Sequence, residues 1–182
     1  MTSSKPRGQA GSARIRTACI PTGGRPPGLR VALIVLLIGA AFAGADSFRG
    51  KCVAVHDGDT ITVLRGSQQV KIRLEGIDCP ELGQDFGTRA KQFMSSLVFG
   101  KTVTVVVKYL DKNGRSVSRV RVKGTDASRA VVEAGFAWHY RRFSSDESLA
   151  EAERQARRVK KGLWSHPNPV PPWIWRQRKR EK

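Results

Sequence analysis

The stretch FRGKCVAVHDGDTITVLRGSQQVKIRLE, Phe48 to Glu75, alternates apolar and polar residues with a period of two. Val53 and Val55, then Ile61 and Val63, then Val70, Ile72 and Leu74 are the apolar members, and turn residues divide the runs at Asp57-Gly58 and Arg65-Gly66-Ser67. Alternation of this kind marks half-buried strands, and breaks this short are hairpin connections. Three antiparallel strands are therefore expected. Two more β-rich runs, Thr102 to Val107 and Val117 to Val122, flank the loop Leu110-Asp111-Lys112-Asn113-Gly114 and bring the count to five.

Helical spacing separates and follows these strands. Ala90, Phe93, Met94, Leu97 and Val98 recur at i, i+3, i+4, i+7 and i+8 before Gly100, and Ala130, Val131 and Ala134 precede Gly135. Ser144 and Glu147 have the spacing of a capping box for a third helix running to Gly162. Its early Glu147, Glu151 and Glu153 and late Arg157, Arg158, Lys160 and Lys161 match the helix dipole. The fold class expected is β-rich α+β: a five-stranded Greek-key barrel of the oligonucleotide-binding (OB) type with three helices. Residues 167–182, with four prolines, Trp173, Trp175 and a basic end, are expected to form a docked aromatic strap and then a disordered charged tail.

Charge narrows the function. The 182 residues hold 33 Lys and Arg against 15 Asp and Glu, a net +18, which excludes an acidic calcium buffer, and 40% hydrophobic residues exclude disorder throughout. Six basic residues and no acid lie in residues 1–45, so the rest remains at +12. A basic domain attracts nucleic acid or an anionic membrane. Within the leader, Val31 to Ala43 is an apolar run after Arg30, and Ala43-Gly44-Ala45 has the small-x-small pattern of a signal-peptidase site. Residues 1–45 are thus expected to be an extension and signal peptide, with cleavage after Ala45 and export; if retained, the leader would be a membrane anchor. Cys52 and Cys79 then remain as an even pair, either a disulfide or two buried thiols.

Two acidic turns bracket one hairpin: His56-Asp57-Gly58-Asp59-Thr60, and Gly76-Ile77-Asp78-Cys79-Pro80-Glu81 past the end of the third strand. Arg73 lies between them on the strand's polar face. Taken singly, each is an ordinary turn or an exposed charge. Together they offer oxygen ligands for a hard cation beside a guanidinium for phosphate. His56 and His139 are read as non-catalytic, His139 as a surface residue, and Trp138 and Tyr140 as either packing or base-stacking residues.

The ordered set resembles the staphylococcal nuclease (thermonuclease) family: Asp57-Gly58-Asp59-Thr60, Ile72-Arg73-Leu74, Gly76 to Glu81, Gly114-Arg115, Ala137 to Tyr140 and Leu163-Trp164. The resemblance covers residues 46–166 and implies an OB barrel that hydrolyses DNA and RNA with calcium. It assigns Asp59, Asp78 and the Cys79 backbone carbonyl to calcium, Arg73 and Arg115 to phosphate, and Glu81 to the attacking water. It implies nucleic acid as partner, a monomer, and, as the alternative, a non-catalytic nucleic-acid-binding module. Cys79 and Asn113 depart from the residues usual at their positions.

Overall fold

The computed structural model describes residues 46–181; the leader, its cleavage site and Cys19 lie outside them. Strands β1 (Ser47–Val55), β2 (Thr60–Arg65) and β3 (Gln68–Leu74) form the expected antiparallel meander. A two-residue strand β4 (Ile77–Asp78) and helix α1 (Gly87–Val98) follow, then β5 (Thr102–Leu110) and β6 (Ser116–Val122). β5 pairs with β1 and β6, and β6 pairs in parallel with β3, Ile72 opposite Ser116, which closes five strands into a barrel. The barrel matches the expected fold class.

Its core is apolar. Ile61, Val63, Ile72, Leu74, Val103, Val105 and Val120 point inward and α1 covers one end with Ala90, Met94 and Val98. In β1 the inward residue is Cys52 rather than Val53, because a bulge between Cys52 and Ala54 shifts the alternation before Val55 returns to the core.

A short strand β7 (Thr125–Asp126) leads into α2 (Ala127–Glu133), and β8 (Trp138–His139) pairs antiparallel with β4. Gly135, at φ 74°, turns the chain between them; a side chain there would strike the Lys161 carbonyl. The cap of helix α3 (Glu147–Arg158) lies two residues beyond the expected Ser144. Asp146 is the N-cap, accepting from the Ser148 amide, while Ser144 Oγ accepts from the Asp146 amide. A 3₁₀ turn, Gly162–Ser165, follows it.

Among the described residues the expected three helices are four. α4 (Pro172–Arg180) occupies the segment read as strap and disordered tail. Pro172 ends no helix here because it stands at the first helical position, where a proline loses no intrahelical bond. A second cluster of Trp138, Ala156, Leu163 and Trp164 packs against Phe86 and Trp173, so α4 is docked through its aromatic residues.

Cys52 and Cys79 are both buried and free, the second of the two readings the sequence left open. Cys52 Sγ faces its own strand, 3.5 Å from the Ala54 carbonyl, whereas Cys79 packs under Gly58 and Ala90 in the second acidic turn. Burial raises both thiol pKa values, Cys79 well above the ordinary one, so neither is a thiolate near neutrality. In a Cys19→Ser background, two thiols should react with a thiol reagent at pH 8 in urea and none in the native protein over the same time. Two unreactive cysteines in non-reduced, unfolded protein would restore the disulfide.

Candidate active site

The first acidic turn is held by its own side chains. Asp57 Oδ1 accepts the Asp59 amide at 2.9 Å, which tightens the turn and aims the Asp59 carboxylate inward. Asp59 is buried: Oδ1 accepts the Thr60 hydroxyl at 3.0 Å and Oδ2 accepts the Cys79 amide at 2.7 Å. One carboxylate thus joins two turns that lie on opposite sides of the β2–β3 hairpin. Close approach needs Gly58, where an added Cβ would lie 2.7 Å from Cys79 Sγ and 2.8 Å from Ala90 Cβ.

Asp78, fully buried, is fixed by the β4–β8 pair, opposite Trp138. Arg73 reaches both acids from β3: Nη1 pairs with Asp59 Oδ1, and Nη2 donates to Asp78 Oδ1 at 2.6 Å and to the Ile77 carbonyl at 3.3 Å. Charges this deeply desolvated persist only when paired and hydrogen-bonded. Sharing one guanidinium brings the two carboxylates together, as the sequence led us to expect.

Glu81 joins them through a residue that sequence reasoning missed. Arg176 on α4 donates to Asp78 Oδ2 at 2.7 Å, to Asp78 Oδ1 at 3.2 Å and to Glu81 Oε1 at 2.7 Å. Burial of this guanidinium works to lower its pKa, but its hydrogen bonds to Asp78 and Glu81 outweigh that and raise it. The signal available was Pro172 at a helix start with Trp173 and Arg176 one turn apart, hence on one face.

Arg115 stands apart from this cluster. It immediately precedes β6, whose Ser116 pairs with Ile72 of β3, and its guanidinium is bound to Asp111 Oδ2 at 2.7 Å from both Nε and Nη2. Partial burial tends to raise the Asp111 pKa, but the backbone and side-chain hydrogen bonds from Arg115 prevail and lower it. His56 donates to or accepts from Thr62 Oγ1 at 2.9 Å, outside the acid cluster. His139 is buried rather than on the surface, because β8 pairs with β4; burial lowers its pKa, and Nε2 lies 3.3 Å from Ser144 Oγ.

A cleft of about 470 Å³ is lined by Trp138, His139, Tyr140, Arg141, Arg142, Glu153, Arg157 and Trp173; it meets the acid cluster through β8, whose Trp138 pairs with Asp78. Trp138 is a packing residue at its floor, edge-on to Trp164 with ring centroids 4.4 Å apart. Tyr140 stacks on Trp173 at 5.3 Å, with the rings 10° from parallel.

Among the described residues no group of three or more His, Cys, Asp or Glu side chains is arranged as a ready ligand set. The donors are nevertheless those of a hard cation. Asp59 and Asp78 are buried oxygen donors, and the charge that satisfies them is now supplied by guanidinium groups.

The profile of the staphylococcal nuclease homologue family matches residues 71–166. The chain is 46% identical over 131 residues to a protein named uncharacterized endonuclease from Escherichia coli O157:H7, covering 71% of this chain and 86% of that one. It is 41% identical over 158 residues to a micrococcal nuclease of Shigella flexneri, covering 81% and 90%. A Haemophilus influenzae protein, also named uncharacterized endonuclease, is 33% identical over 149 residues, covering 80% and 84%.

Arg73→Met leaves two buried acids with one partner fewer, and in chelator it should lower unfolding free energy by about 3–5 kcal/mol in urea titrations. An unchanged midpoint would show that Arg73 contributes nothing to holding the two acidic turns.

Proposed function

Because the chain belongs to the staphylococcal nuclease family, we propose that it is a calcium-dependent endonuclease hydrolysing DNA and RNA phosphodiesters with little sequence preference. The observation that carries this reading is the pair of buried carboxylates, Asp59 and Asp78, meeting at Arg73. Buried acids could be structural alone; the adjoining Glu81, Arg115 across the seam and the aromatic and basic cleft give them a substrate.

Asp59, Asp78 and the Cys79 carbonyl would hold the calcium ion. When bound, it neutralises charge on the phosphate oxygens. Arg73 is fixed by β3 and positions a non-bridging oxygen. Glu81 accepts a proton from the attacking water as the water oxygen bonds phosphorus and the bond to the leaving oxygen breaks. Arg115 steadies the charge that builds on the phosphorus oxygens and leaving group once it exchanges Asp111 for substrate, and its planar fork suits this better than lysine. In the free protein the engagement of Arg115 by Asp111 keeps the guanidinium near its working place.

Nonspecificity follows from chemistry that addresses phosphate rather than base edges, aided by the +12 chain beyond the leader. Export completes the reading. Asp46 is already tied into the barrel, its carboxylate on Arg65 and its carbonyl on the Val107 amide, so a cut after Ala45 would leave a firmly held first residue. Periplasmic or secreted protein should then begin at Asp46 by N-terminal sequencing; a retained leader would mean an anchor.

Calcium should support cleavage of single-stranded DNA, duplex DNA and RNA, and chelator should abolish it. Arg73→Lys, Glu81→Gln and Arg115→Ala should each lower kcat at least about a hundredfold, the usual cost of losing one electrostatic stabiliser. Tight binding of DNA without cleavage in calcium would instead identify a binding module.

A further inference from the structure

Both oxygens of Asp78 are occupied. Arg73 takes Oδ1 from the barrel wall, while Arg176 takes Oδ2 and part of Oδ1 from the far end of the chain, and also holds Glu81. We propose that α4 is an intramolecular competitor of the divalent cation: Arg176 sits on carboxylate oxygens that the cation requires, so cation binding and withdrawal of Arg176 are coupled. The proposal rests on the cation-dependent reading of the site.

Charge within the hydrogen-bonded cluster supports the exchange. Asp59, Asp78 and Glu81 carry three negative charges, against two positive ones from Arg73 and Arg176. A divalent cation with Arg73 alone would make the cluster neutral, whereas adding it with Arg176 in place would leave one excess positive charge beside the buried Asp59 and Asp78. The cation therefore favours departure of one of the two guanidinium groups, and Arg73 is the one built into a strand of the barrel.

Arg176 is delivered by anchors that do not involve the acids. Gln84 Nε2 donates to the Val170 carbonyl at 2.6 Å, and Trp173 stacks on Tyr140 and meets Trp138 edge-on at 5.6 Å. These contacts hold the guanidinium at high local concentration beside Asp78 and Glu81. The docking is also shallow: of the nine residues of α4 only Pro172 is buried, and Arg178, Lys179 and Arg180 form its exposed end. A site open for only part of the time binds its ion with affinity reduced by that fraction. An anionic substrate that attracts Arg176 would raise cation affinity, and the cation would raise substrate affinity by the same factor.

Calorimetric titration of calcium into the full chain without nucleic acid tests this. Arg176→Ala should bind calcium about tenfold or more tightly than the wild type. Trp173→Ala, which loosens α4 without changing charge, should move affinity in the same direction. Arg178→Ala, equal in charge change but outside the cluster, should stay within about twofold of wild type. Calcium should also hasten tryptic cleavage within 172–180 of the wild type, because α4 undocks. Wild-type affinity in both Arg176→Ala and Trp173→Ala, with calcium-dependent cleavage intact, would overturn the competitor and leave the cation reading standing. Weaker binding in Arg176→Ala would also overturn it, making Arg176 a support of the site. No calcium binding by any form, together with no calcium-dependent cleavage, would overturn both.

Discussion

The Asp59 carboxylate is the constraint from which the rest of the site follows. Placed in a dry pocket, it must be satisfied on every side, and it is: Thr60 and the Cys79 amide supply hydrogen bonds and Arg73 supplies charge. Because the Cys79 amide belongs to the second acidic turn, satisfying Asp59 also fixes where Asp78 lies. The two turns therefore cannot move independently. Gly58 is the steric condition for that closeness, and Cys79 fills the space beneath it.

Much of the barrel was legible because its local signals agree. The period-two runs became β1 to β3, and the helical spacing of Ala90, Met94 and Val98 became the buried face of α1. The acid pair and Arg73 were legible too, since strand alternation and turn chemistry are short-range. What escaped was decided at longer range. His139 reads as polar and exposed until β8 is known to lie against β4, a pairing that no local pattern announces. Cys52 turns inward through a bulge. The prolines around α4 read as helix breakers when counted together; only Pro172, as the first helical residue, reverses that meaning.

Arg176 illustrates the same division. Its neighbours in sequence are basic, and a run of basic residues near a chain end looks like a solvated tail. Its neighbours in space are Asp78 and Glu81, nearly a hundred positions earlier. The aromatic cluster makes the difference, because Trp173, three residues before Arg176, lies against Tyr140 and Trp138, and Trp138 pairs with Asp78 across β4 and β8. A packing preference of tryptophan thus determines the electrostatics of a carboxylate cluster.

The parallel seam between β3 and β6 joins two hairpins that are distant in sequence. Joining residues 72–74 to residues 116–118 closes a long loop, and contacts of that kind carry their entropy cost before they gain any stability. Arg73 belongs to the β1–β3 meander, and Arg115 to the turn between β5 and β6. Each arginine lies in its own hairpin, and only the seam relates one hairpin to the other. Closing the seam places the hairpin that carries Arg73 beside the one that Arg115 enters, so a single long-range pairing links barrel closure to the relative placement of two guanidinium groups.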